Sequence, residues 1–209
     1  EYPNNKYSED AMLMGAEMAY TAKDYEKALH IYKQLKDKAA SMERRQLAKT
    51  GMLRSAHMLG NEEEIIFTAT DLLADTKLAP ELSNEAHYYR AKAYLDAGKT
   101  DGAMEDLKIL AKDTRNVYGA EAKYKVAQIY FDGGQTDKAE QEVLNYIEVS
   151  TPHTYWLARS FVLLADVYMK SGRNLDAKQY LLSLKQNYQA DDDIAGMIES
   201  RLEKLKTEN

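Results

Sequence analysis

Five positions set the frame of this chain: Lys23, Gly60, Gly98, Gly134 and Gly172, separated by 37, 38, 36 and 38 residues. Each lies between two stretches whose apolar residues recur at helical spacing. In the clearest copy, ARSFVLLADVYMKSGRNLDAKQYLLSL over 158–184, Gly172 interrupts the pattern and an amphipathic helix is expected on either side. Such a pair cannot bury its apolar face alone, so a figure repeated at so steady an interval demands stacked helix pairs. Small residues keep two fixed places, seven before the turn (Ala16, Ala91, Ala127, Ala165) and five after it (Ala28, Ala103, Ala139, Ala177). Small side chains there let the two helix axes approach closely, while Tyr and Leu four residues later fill the next gap.

The helix ends are marked as well. Asp24 is a natural N-cap, and Asn61 with Glu64 three residues on resembles a capping box. Asp191 to Asp193 precede a last amphipathic helix with Ile194, Met197, Ile198, Leu202 and Leu205 on one side, the pattern of a terminal cap. Met12, Leu13, Met14 and Met18 make the first helix apolar on several sides, so it is expected to meet an upstream repeat, a second copy in a homodimer, or another partner.

Composition narrows the chemistry. With 28 basic and 34 acidic residues and no basic run longer than Arg44-Arg45, binding to nucleic acid or an anionic membrane by bulk charge is not expected. The absence of cysteine excludes disulfides, thiol catalysis and a thiolate zinc site. His30, His57, His87 and His153 show no helical metal-site spacing, and Asp191 to Asp193 lack the alternation of a calcium loop. Gly133-Gly134 is followed by no phosphate-loop lysine. No catalytic residue, metal or cofactor is expected. No apolar run approaches the ~18 residues of a membrane span. The chain opens EYPNNKYSED, with neither an initiator Met nor a signal peptide, and reads as a processed or excised piece of something longer.

The small–x–x–aromatic and Ala–x–x–x–aromatic patterns resemble the tetratricopeptide repeat family over about residues 8–186. The resemblance implies an all-α fold, a right-handed α-solenoid of about five helix pairs with period 36–38 and a C-terminal capping helix. The expected layout is a tail over 1–7, the array over 8–186, and the capping helix with its tail over 187–209. The period exceeds the usual ~34 residues, and linkers such as AKDTRNVYGA (111–120) are expected to loosen or alter the superhelical twist.

The family points the first helix of each pair into a concave groove. Matched by register, the row three before the turn holds Tyr20, His57, Leu95, Phe131 and Met169, and the row ten before holds Leu13, Thr50, Tyr88, Tyr124 and Val162. Between them run Glu17, Arg54, Lys92, Gln128 and Asp166. An apolar, aromatic surface with a charged midline suits anchoring a peptide or helix of a protein partner. The midline lacks the Lys/Asn/Arg clamp of the chaperone-adaptor subgroup, so heat-shock chaperone tails are not the expected ligand. The last two units look similar to the final repeats of long Gram-negative envelope proteins. That implies a periplasmic or envelope-associated, non-catalytic interaction scaffold, with a cytoplasmic setting still open. The alternatives are a glycan-uptake lipoprotein of the starch-utilisation type, or the regulatory domain of an enzyme whose catalytic part is elsewhere.

Overall fold

The computed structural model describes residues 6–207, which form eleven α-helices. These are α1 (Lys6–Thr21), α2 (Tyr25–Lys38), α3 (Met42–Leu59), α4 (Glu62–Leu73), α5 (Pro80–Asp96), α6 (Thr100–Leu110), α7 (Val117–Asp132), α8 (Thr136–Ile147), α9 (Thr154–Lys170), α10 (Asn174–Asn187) and α11 (Ile194–Thr207). Lys6 and Tyr7 therefore already belong to α1, while the rest of the expected tails, 1–5 and 208–209, lies outside the described residues. No helix among the described residues is long and apolar enough to cross a membrane.

All five turn positions adopt the left-handed region, with φ of 62° at Lys23 and 64°, 70°, 74° and 73° at Gly60, Gly98, Gly134 and Gly172. Each closes the preceding helix by the same two bonds. The turn residue's N–H donates to the carbonyl three before it, and the next N–H donates to the carbonyl four before the turn. Gly172 to Met169 and Arg173 to Tyr168 are one example, at 3.1 and 2.8 Å. This is the C-terminal motif that glycine satisfies without steric cost. Lys23 meets the same geometry with a side chain.

Asp24 Oδ1 accepts from Lys27 N–H and Asn61 Oδ1 from Glu64 N–H, so both expected caps form. The box at Asn61 is half made. Its own N–H is already committed to Ala56 O, and the Glu64 carboxylate instead receives Lys33 Nζ at 2.7 Å. Linker 111–120 is fastened rather than slack. Asn116 accepts from Gly119 N–H and donates to Asp113 O, while Thr151 Oγ1 donates to Thr114 O and His153 Nε2 to Arg115 O. Gly119 is required here, because a β-carbon would stand 1.9 Å from Asp113 O.

The chain divides into two compact units, the first ending at Asp106 and the second starting at Leu107, so the division falls within α6. In the first unit α2 packs on α1 and α3, and α4 on α3 and α5. Ala16, Ala28, Ala91 and Ala103 are 0–1% exposed, which confirms the close-approach positions. Repeat two uses Leu53 and Ile65 at those places and keeps both buried, with Ala56 and Ala69 supplying the small partners. A charged knot lies at the end of the unit. Asp106, 1% exposed, accepts a fork of two bonds from Arg90 (2.8 and 2.7 Å) and contacts His87 Nδ1 at 2.7 Å. In the second unit α8 packs on α7 and α9, and α10 and α11 both pack on α9. One core there joins Val143, Leu163, Leu164, Leu181, Ile194, Ile198 and Leu202.

Candidate functional site

In the first unit the groove rows converge on a cavity of about 380 Å³ between α1 and α3. Leu13, Glu17 and Tyr20 come from α1, one helical turn apart, and Thr50 and Arg54 from α3. These are members of all three rows read from the sequence. Four residues outside the rows, Thr21, Tyr32, Leu47 and Gly51, complete it. The Tyr32 ring of α2 reaches the cavity beside Gly51, where no side chain would fit, and Leu47 of α3 is half exposed beside them. Sequence register missed Tyr32 and Gly51 because one looks like a core aromatic and the other like a helix defect.

Burial, with Tyr25 nearby, raises the Tyr20 hydroxyl above the ordinary tyrosine range, and burial with Glu17 does the same for Tyr32. Both phenols are neutral donors at any physiological pH. Arg54 reaches from α3 to α5, donating Nε and Nη2 to the two carboxylate oxygens of Glu85 at 2.6 and 2.7 Å. This fork leaves Arg54 half exposed with a fixed direction and a matched charge.

Beside it His57 stacks on Tyr89, with ring centroids 4.2 Å apart and planes at 27°. Burial, and then Lys92, lower the His57 pKa, so the ring stacks in its neutral form. Lys92 Nζ lies 5.4 Å from the Tyr88 ring centroid, a cation–π distance. Leu95 is half buried, and its carbonyl closes the Gly98 turn. The first unit thus presents Tyr20, Arg54, His57, Tyr88 and Lys92 on one run of first helices.

The second unit treats the same rows differently. Tyr124 is 5% exposed and Val162 1%, so neither side chain is open to a ligand. The reason is a neighbour that register does not show. Val162 joins one apolar cluster with Ile194 and Ile198 of α11, and Tyr124 lies against Trp156, with centroids 5.7 Å apart. Asp166 is claimed by Arg201 of α11, which donates Nε at 3.0 Å and Nη2 at 2.8 Å. Tyr124 OH donates to Gln128 Oε1, and Gln128 Nε2 to Asp132 Oδ1. Lys170 covers the Phe131 ring at 4.8 Å, and Met169 packs half buried against the core. In this unit these residues hold one another.

The comparisons with known proteins bear on the fold. The tetratricopeptide repeat model matches residues 85–113, which hold most of α5 and all of α6. No curated protein matches the chain by sequence. Among solved structures, the crystal structure of MamA protein superposes with a TM-score of 0.67 at 17% identity, covering 85% of this chain and 90% of that one. A Podosopora anserina putative kinesin light chain with nearly identical TPR-like repeats gives 0.58 at 18% identity, covering 85% and 92%. A thermophilic TPR protein from Thermus thermophilus gives 0.51 at 18%, covering 93% and 98%. The chain has the all-α fold of tetratricopeptide-repeat proteins.

Proposed function

We propose, with the tetratricopeptide-repeat fold as premise, that this chain is a non-catalytic protein-interaction scaffold whose first unit holds a segment of a partner protein. The observation that carries the reading is the cavity between α1 and α3, with Tyr32 and Leu47 as apolar contacts and Glu17 and Arg54 as polar ones. Its size falls within the range of about 300–1,000 Å³ of small-ligand sites, enough for one or two anchoring side chains. Rigid walls mean that little ordering entropy is lost on binding, so affinity rests on the few side chains that enter. The Arg54–Glu85 fork beside it gives a partner a donor of fixed direction. The partner we infer is a peptide or helix, and the setting a bacterial envelope assembly, which rests on the likeness of the last two units to repeats of envelope proteins.

A photo-crosslinking residue at position 47 tests the site directly. In cells, crosslinks at Leu47 to a defined protein, lost in Tyr20→Ala and absent from a control crosslinker at exposed Leu175 on α10, support the reading. The same adducts at both positions, or adducts indifferent to Tyr20→Ala, overturn it. Binding of an oligosaccharide by calorimetry in place of any protein would favour the glycan-uptake alternative.

A further inference from the structure

The polar groups at the cavity between α1 and α3 are weighted towards acceptors. Glu17 is exposed at its edge, and among the described residues no cation lies within ion-pairing distance of its carboxylate. Thr21 Oγ1 donates to Glu17 O and Thr50 Oγ1 to Gln46 O, both at 2.8 Å, so each hydroxyl offers the cavity only lone pairs. Arg54, the cation of the lining, already gives Nε and Nη2 to Glu85. Glu17, Arg54 and Glu85 together therefore carry one net negative charge. Lys92 lies by the Tyr88 ring and lines no part of the cavity. The rest of the lining is apolar or aromatic, from Leu13, Leu47 and the Tyr20 and Tyr32 rings. Glu17 helps to raise the Tyr32 hydroxyl, so carboxylate and ring share one field.

We propose that this cavity takes a basic side chain, lysine or arginine, from the partner segment, an inference that rests on the interaction site proposed for the first unit. Such side chains are donors throughout and carry no acceptor, so they complement a lining whose uncommitted groups accept. Their apolar stems suit Leu13 and Leu47, while the charged head stays at the wet edge beside Glu17. An ammonium or guanidinium there also gains attraction from the tyrosine rings. An acidic anchor would meet the net negative charge. A wholly apolar one would take water from the Glu17 carboxylate and return no hydrogen bond. Arg54 opposes the incoming cation only weakly, because Glu85 matches its charge at 2.6 Å.

A random peptide library displayed on phage, selected against the 209-residue chain, tests this. The recovered peptides are expected to share one Lys or Arg. The tightest of them, labelled with fluorescein and followed by anisotropy, should lose about 3–30-fold in affinity when that residue becomes norleucine. Glu17→Gln should weaken the basic peptide by about 2–5-fold and the norleucine peptide no further, and added salt should narrow the difference. Peptides that depend on Tyr20 and on exposed Leu47, by loss of binding in Tyr20→Ala and Leu47→Ser at unchanged helicity, yet share no basic residue would overturn the inference. So would a norleucine peptide that binds equally well, or a Glu17→Gln loss equal for both peptides. Each of these leaves the groove reading standing. Peptides indifferent to both Tyr20→Ala and Leu47→Ser, or no recovered peptide at all, would overturn the two together.

Discussion

Gly51 of α3 lies against the Tyr32 ring of α2 so closely that a β-carbon at position 51 would stand 2.3 Å from the ring's Cζ. The glycine therefore costs helix propensity in order to seat an aromatic ring beside the candidate cavity. Gly51→Ala should displace that ring and destabilise the chain by about 1–3 kcal/mol, the usual cost of overpacking, against the modest gain expected of alanine in a helix. Urea denaturation measures it. Tyr32→Leu in the Gly51→Ala background should recover part of the loss, and an additive double mutant would show that the two residues do not press on each other.

Lys23 holds at the first turn the left-handed backbone that glycine holds at the other four. A side chain in that region is disfavoured by roughly 1–2 kcal/mol, partly offset because glycine is freer in the unfolded chain. Lys23→Gly should stabilise by about 0.5–1 kcal/mol, read as a rise in Tm. Gly98→Ala, where nothing lies within 4 Å of a β-carbon, should lose a similar amount through backbone strain alone.

The knot at Asp106 gives an acid limb to stability. Burial acts to raise this carboxyl, and the hydrogen bonds from Arg90 and His87 outweigh it, so its pKa lies below the ordinary carboxylate range. A depressed folded pKa contributes stability that is fully present above the unfolded value near ~4 and is lost as pH falls through the folded one. Asp106→Asn should flatten the fall in stability below about pH 4 and cost roughly 3–5 kcal/mol at neutral pH, since it leaves Arg90 with a neutral partner in a buried place. An unchanged acid limb would assign it to other carboxylates.

Arg54 and Glu85 differ in exposure, and that sets the size of their coupling. Glu85 is buried while the Arg54 side chain keeps about half its surface in water. A double-mutant cycle with Arg54→Met and Glu85→Gln should give a coupling of about 1 kcal/mol, well under a fully buried pair, because solvent screens the exposed partner. Arg54→Met alone should cost more than the double mutant, since it strands the Glu85 carboxylate.

Much of this was legible without coordinates. Gly60, Gly98, Gly134 and Gly172 mark the ends of helices because the left-handed turn is a local demand, and Asp24 and Asn61 cap because their acceptors reach amides three residues away. The alanines seven before and five after four of the turns are buried as read, since spacing along a helix determines which residues share a face. The candidate site was legible by halves. Leu13, Glu17, Tyr20, Thr50 and Arg54 do gather at one cavity, while Tyr124 and Val162, from the same rows, lie in a core.

The sequence by itself determined the repeat, its turns, its caps and the rows that share a helical face, all of which depend on neighbours within a turn or two of helix. Only the tertiary structure decided which row positions stay open. That depends on residues far along the chain: α11 bringing Arg201 to Asp166 and Ile194 to the Val162 cluster, and Tyr32 settling into the space that Gly51 leaves.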